Sequence, residues 1–157
     1  MTIKIVAVGQ KMPAWINAGF EEYSKRLIAD WWRPVLVEVP LATRSKTVNK
    51  EVLQAKEAEL LLSAIRPQES IIALDECGDT FTTASLAEQL KKLCDHGKSI
   101  SFLIGGPDGL SPSIKEKAAY TWSLSKLTLP HPLVRVVLIE QLYRAYSLLN
   151  KHPYHRA

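Results

Sequence analysis

Three glycines and two prolines crowd one short run, Ile104-Gly-Gly-Pro-Asp-Gly-Leu-Ser-Pro112, where an apolar stretch gives way to an expected helix. Gly105, Gly106 and Gly109 can take backbone conformations closed to other residues and let a ligand approach the main chain. The helix expected over 113–119 offers unpaired N–H groups at its amino end to a carboxylate or phosphate. The run suits a bound cofactor, and equally a tight strand-to-helix connection. It is not a Walker A loop, having no Gly-Lys-Ser/Thr, and it lacks the GxGxxG spacing of dinucleotide folds.

A second chemical segment follows, Trp122-Ser-Leu-Ser-Lys-Leu-Thr-Leu-Pro-His-Pro132. Pro130 biases Leu129 towards extended backbone and Pro132 suits the first position of the next helix, so the carbonyls of 125–129 lack helical partners. Open carbonyls and amides beside a glycine turn can read the edge of a cofactor, with Leu127 and Leu129 as apolar walls; a buried crossover loop is the plainer alternative. In the following helix, Glu140 and Arg144 stand i,i+4 in the order of an ordinary ion pair. Arg135, in its first turn, opposes the helix dipole, a cost that contact with an anion or RNA would offset. The chain ends His152-Pro-Tyr-His-Arg156-Ala. A solvated tail is the ordinary expectation there, but packed on a neighbouring subunit it would bring His, Tyr and Arg over a reacting group. Pro153 denies His152 and His155 a shared helical face, so no metal site is expected.

These segments need elements to hold them. Residues 3–8 read as a strand and 14–29 as a helix. A β-rich run at 35–39 is followed by a polar loop, 42–48, and a helix over 49–65 that Pro67 ends. Residues 70–74 and 100–104 read as buried strands around a helix at 83–94 closed near Gly97. Alternating strands and helices predict an α/β fold, a mostly parallel sheet flanked by helices, with ligands at the carboxyl ends of the strands. The helix over 132–150 is apolar nearly all round, which predicts burial on two sides, the second against another subunit. The loop with Arg44, Lys46 and Lys50 is a candidate mobile basic element, or simply a solvated surface loop.

A chain of 157 residues with 46% hydrophobic content fits one domain, 1–157, with a real core. Its 20 basic and 16 acidic side chains give +4, which favours a polyanionic partner only weakly. Cys77 and Cys94 form no CxxC pair and have no partners at zinc-ligand spacing, so reduced thiols are expected. The opening apolar stretch, 5–8, is too short for a signal-peptide core or a membrane span, which makes the cytoplasm the expected location.

The glycine run, Trp122-Ser-Leu-Ser, Leu127-Thr-Leu-Pro-His-Pro-Leu-Val-Arg135, Glu140-Gln-Leu-Tyr-Arg-Ala and the terminal His152-Pro-Tyr-His-Arg156 resemble the RlmH family of SPOUT methyltransferases. The likeness extends to the opening Val6-Ala-Val-Gly and Lys11-Met-Pro, and is least distinctive over 44–79. It implies a homodimer with a carboxyl-terminal trefoil knot that transfers a methyl group from S-adenosylmethionine to N3 of a pseudouridine in 23S rRNA of the assembled ribosome. The knot breaks the rule that connections do not thread. By this resemblance Leu74, Gly105, Gly106, Leu124, Ser125, Lys126, Leu127, Thr128, Leu129 and Pro130 bind the cofactor, while His152, Tyr154 and Arg156 belong to a catalytic tail. The N3 proton has to leave. A neutral histidine, His152 or His155, is suited to take it, with Arg156 or Arg135 stabilising the developing anion. The competing readings are a noncatalytic ribosome- or RNA-binding module and, third, a small nucleotide-binding α/β enzyme.

Overall fold

The computed structural model describes residues 2–29 and 32–155, and of His155 only the main chain. Five strands form one parallel sheet in the order β2-β1-β4-β3-β5. They are β1 (Ile3–Val8), β2 (Val35–Val39), β3 (Ser70–Thr80), β4 (Ile100–Ile104) and β5 (Tyr120–Ser123). Between and after them run α1 (Ala14–Ser24), α2 (Lys50–Ser63), α3 (Thr83–Asp95), α4 (Pro112–Lys117) and α5 (His131–Leu149), then a 3-10 turn, Pro153–His155.

Strand alternation divides the core in two. Ile3, Ile5 and Ala7 of β1, with Phe102 and Trp122, face α1, α3 and α5. Val6, Val8, Ala73 and Leu103 face α2 and α4 through Ala58, Leu61 and Ile114. Both faces are covered, which is why β4 is buried at every position and, Ser101 apart, apolar along its length. Helix starts follow local chemistry: the Asn49 side chain accepts from Val52 N at 3.0 Å and Thr82 Oγ1 from Ser85 N at 3.1 Å.

Several expectations change. Helix α1 stops at Ser24 rather than at 29. Residues 25–27 continue in turns, with Arg26 N donating to Tyr23 O and Leu27 N to Ser24 O. Strand β3 runs on to Thr80, because Asp79 and Thr80 pair with β5 after an irregularity at 75–78 that the polar sequence there conceals. Helix α5 finds its two-sided burial within the chain, between α1, α3 and the sheet; its apolar circumference therefore does not by itself require a second subunit. The loop after β2 is pinned: Arg44 pairs with Asp108, and lies 3.8 Å from Glu57 Oε1.

Candidate functional site

The carboxyl ends of β3, β4 and β5 open into a pocket of about 460 Å³. That size falls in the roughly 300–1,000 Å³ span of small-molecule sites. Leu74 and the irregular segment after it form one wall, Ile104 and the glycine turn another, and the chain leaving β5 a third. Eight of the ten residues expected to bind a cofactor lie on it: Leu74, Gly105, Gly106, Leu124, Ser125, Leu127, Thr128 and Leu129. Lys126 and Pro130 belong to the same segment but do not line the cavity. Leu127 is 74% exposed, so it is a rim residue rather than a closed apolar wall.

The glycine turn is built by close approach. A Cβ on Gly105 would stand 2.6 Å from the carbonyl carbon of Gly109, which itself sits at φ +76. A Cβ on Gly106 would point away from open space, to within 3.1–3.2 Å of Val8, Glu57 and Leu41. Downstream, the amino end of α4 is less available than its sequence implies. Ser111 caps Ile114 N at 3.4 Å and Pro112 removes a donor, so this short helix offers an anion little.

No regular structure forms over 124–130, in keeping with the prolines, and side chains brace the segment. Ser123 Oγ donates to Ser125 O at 2.7 Å, Leu127 N to Ser125 Oγ at 2.9 Å, and Thr128 Oγ1 to Glu76 Oε2 at 2.7 Å. Sequence reasoning missed the opposite wall. Asp75 pairs with Lys115 at 2.7 Å and accepts from Cys77 N at 2.9 Å. Burial raises the Asp75 carboxyl, but the bonds from Lys115 and Cys77 outweigh it and hold the group below its ordinary value. The rule that ligands sit beyond strand carboxyl ends could have drawn attention to Asp75, Glu76 and Cys77.

Two buried groups beside the pocket lack partners among the described residues: Glu57 Oε2 and His131 Nδ1. Burial pushes the Glu57 carboxyl up, more than the Ala42 N–H and Arg44 pull it down. Burial lowers His131, helped by the guanidinium charges of Arg135 and Arg44. His131 lines the cavity at the start of α5, with Pro on either side, and escaped the sequence reading although it lies inside a quoted motif.

Arg135 corrects an expectation. It is 1% exposed, pairs with Glu38, and donates to Val8 O at 3.0 Å and Gly9 O at 2.7 Å. The partner that offsets its position in the first turn is therefore Glu38 with two carbonyls at the end of β1, not RNA.

The tail forms a second centre. His152 N donates to Ser147 O at 2.7 Å, and the Tyr154 ring packs against Tyr143 at 4.5 Å between centres, tilted by 51°, beneath the Arg144 guanidinium. Tyr154 Oη donates to Glu140 Oε1 at 3.2 Å, and Arg144 Nε donates to the same oxygen at 2.8 Å. The Glu140–Arg144 pair thus forms as its spacing predicts and also seats the tail. Burial and bonds to Tyr23 and Glu140 push the Tyr154 hydroxyl well above its ordinary value, so it stays a donor. The His155 side chain and Arg156 lie outside the described residues. Among the described residues no cluster suits a metal ion, and no helix is long and apolar enough to cross a membrane.

A family model described as "Predicted SPOUT methyltransferase" matches residues 1–155. The ribosomal RNA large subunit methyltransferase H of Acinetobacter baumannii (strain ATCC 17978) is 48% identical over 160 residues, covering 100% of both chains. The protein of that name from Marinomonas sp. is 46% identical over 156 residues, 99% of this chain and 100% of its own. A solved structure named as a probable methyltransferase from Bordetella pertussis Tohama I superposes with a TM-score of 0.55 at 12% identity, over 91% of this chain and 95% of the other, which speaks to the fold. With the motifs of the glycine turn, the proline segment and the tail all inside the matched region, the chain belongs to the SPOUT methyltransferase family and, within it, to the ribosomal RNA large subunit methyltransferase H group.

Proposed function

We propose that this chain is an S-adenosylmethionine-dependent, cytoplasmic methyltransferase that acts as a homodimer on N3 of a pseudouridine in 23S rRNA of the assembled ribosome. The observation that carries the reading is the pocket itself: it gathers the glycine turn, Leu74 and the 124–129 segment at one end of the sheet. Its volume, its tight glycine backbone and its unpaired His131 Nδ1 fit a cofactor with both polar and apolar parts. When bound, that cofactor supplies an electrophilic methyl group.

The chain's residues divide the remaining work by distance. The tail folds back along α5 to Glu140 and Tyr143, about 9–14 Å along the helix axis from Val134, the last α5 residue on the pocket. None of the tail's described residues lines the pocket of the same chain. A second copy would supply the tail, which is the argument for the dimer. Trp15 and Ile28, 62% and 76% exposed on and beyond the α1 that flanks α5, offer apolar surface for it. In that arrangement His152 or His155 takes the N3 proton and Arg156 stabilises the anionic base, with Tyr154 as a hydrogen-bond donor. Holding donor and acceptor in line contributes on the order of 7–11 kcal/mol without any base. The knot belongs to the same proposal: Gly78 leaves no room for a Cβ against the Trp122 carbonyl carbon, at 2.6 Å, and Glu76 holds Thr128, so β3 and the chain leaving β5 are closely engaged where threading would occur.

The test is transfer of labelled methyl from S-adenosylmethionine to ribosomes lacking the modification, followed by nucleoside digestion. Labelled N3-methylpseudouridine supports the proposal; a different labelled nucleoside overturns the substrate. Salt-sensitive RNA binding with no affinity for the cofactor would favour the noncatalytic module. Deleting 152–157 should abolish transfer, and mixing that variant with a pocket-blocked chain should restore it through mixed dimers.

A further inference from the structure

Glu140 is where the tail meets the body of the chain. Its Oε1 accepts from Tyr154 Oη at 3.2 Å and from Arg144 Nε at 2.8 Å, and its Oε2 accepts from Gln141 Nε2 at 2.6 Å. Gln141 in turn accepts from Thr83 Oγ1 at 3.0 Å, at the start of α3. One carboxylate thus ties the tail to α5 and, through Gln141, to α3. Its side chain is 18% exposed, so water competes weakly for these bonds.

The backbone turns back to reach it. Lys151 takes φ +55, the one non-glycine residue with positive φ among those described. His152 N donates to Ser147 O at 2.7 Å and Lys151 N to Leu148 O at 3.2 Å, the paired bonds that close a helix on a left-handed residue. Glycine is the usual occupant, so a lysine held there is backbone strain that the docked tail must offset. Tyr154 then packs on Tyr143, and its main-chain N–H donates to His152 Nδ1 at 3.3 Å.

We propose that Glu140 is a positioning residue for methyl transfer: by accepting the Tyr154 hydroxyl it holds the tail in one place on its own chain, from which the tail serves the pocket of a second copy. This rests on the tail acting in methyl transfer as proposed above. A phenol has one proton to give, and here Glu140 takes it, so Tyr154 works as an anchor inside its own chain and not on the substrate. Tyr23 also approaches this hydroxyl, but a phenol can donate to it where a carboxylate can only accept. Chain ends fray unless tied down, and a misplacement of about 1 Å costs a reaction on the order of a hundredfold. The bond to a sheltered carboxylate opposes both, and its loss should loosen the tail about tenfold.

The test compares the parent with Tyr154→Phe, Glu140→Ala, the double variant and the conservative Glu140→Gln. Methyl transfer to ribosomes lacking the modification gives kcat and KM, calorimetry gives the affinity for S-adenosylmethionine, and carboxypeptidase trimming of 154–157 gives the opening of the tail. Tyr154→Phe and Glu140→Ala should each lower kcat about tenfold or more and speed trimming about tenfold. Cofactor affinity should stay near the parent's, since neither residue lines the pocket. The double variant should lose no more than the worse single one, because both remove the same bond. Glu140→Gln keeps an acceptor for the hydroxyl and should restore most of kcat. Losses that multiply in the double variant overturn the inference, because Tyr154 would then act on the substrate by itself. So does Glu140→Gln falling as far as Glu140→Ala, the mark of a carboxylate that handles substrate. Unchanged kcat in Glu140→Ala overturns it too, as does the faster turnover that a tail parked away from its work would give. If Glu140→Ala does not fold, Tyr154→Phe decides: a fall in kcat without faster trimming overturns the inference. A parent that transfers no methyl group refutes the methyltransferase reading itself and the inference with it.

Discussion

Replacing Arg135 by Met separates bracing from catalysis. The guanidinium is 1% exposed and serves three acceptors: Glu38, Val8 O and Gly9 O. Methionine fills much of the volume but strands both carbonyls, each at about 1–3 kcal/mol for a buried unsatisfied group. Glu38 contributes less, since its side chain is 30% exposed and water can replace the lost partner. The sum, about 3–5 kcal/mol, matches what breaking a buried pair usually costs. For a chain of this length about 1 kcal/mol moves the midpoint by roughly 2–4 °C, so Arg135→Met should melt roughly 6–20 °C below the parent. Thermal and urea unfolding followed by circular dichroism measure this, and methyl transfer on the same samples measures activity at a temperature where both are folded. Glu38→Gln, which keeps an acceptor for Arg135, should cost no more than about 1 kcal/mol. Stability of Arg135→Met within about 1 kcal/mol of the parent, alongside a hundredfold loss of transfer, would refute the reasoning and return Arg135 to the substrate.

Gly105→Ala should weaken cofactor affinity at least tenfold and cost about 1–3 kcal/mol, since its Cβ meets Gly109 backbone at 2.6 Å; Gly109→Ala, strained at φ +76 but with open space around the new methyl, should cost about 1 kcal/mol and perturb binding less. In alkylation followed by mass spectrometry, exposed Cys77 should react first and be protected by S-adenosylmethionine, while Cys94, whose thiol burial pushes up to about 11, should react slowly with or without it. Glu69 and Glu57 should respond to pH with opposite signs. Burial raises Glu69, but bonds from the Ser101 hydroxyl, the Lys4 ammonium and the Arg66 main-chain N–H lower it by more, so its contribution is present above the unfolded carboxyl value near 4.5 and is lost as pH falls below it. Glu69→Gln should therefore lose roughly 3 kcal/mol at pH 7, a gap that closes in acid. Glu57 is raised, so its favourable term is present below 4.5 and lost as pH rises; Glu57→Gln, which keeps an acceptor for Ala42 N, should be neutral or stabilising at pH 7 in urea titrations.

Much of this was legible in the chain because parallel strands announce themselves. Residues 100–104 carry no alternation, as befits β4 buried on both faces, and Asn49 and Thr82 mark the helix starts they cap. The 124–130 segment was legible from its two prolines, and the glycine turn from its composition. What stayed hidden depended on distant partners. Asp75-Glu-Cys-Gly reads as a polar loop, and only the return of Trp122 to pair with Asp79 makes β3 continue past it. Arg135 reads as an uncompensated charge because its acceptors lie more than 90 positions earlier. The seat of the tail mixes the i,i+4 pair Glu140–Arg144, which spacing predicts, with Tyr23 of α1 and Tyr143, which it does not.

The position of β4 has a consequence for how the chain comes to be folded. It lies at the middle of the sheet yet is made late, pairing Ile3 with Ile100 on one side and Ser70 with Ile100 on the other. Until residue 100 leaves the ribosome, β1 and β3 each present an unpaired apolar edge, and neither half of the core can close. The nascent chain thus passes through most of its synthesis with its two most adhesive borders uncovered, and β4 then joins them in one late step. Contacts so far apart in sequence make that step slow. Fragments ending before β4 should collect in aggregates rather than as small stable domains, and the cell's chaperones should meet this chain mainly in that interval.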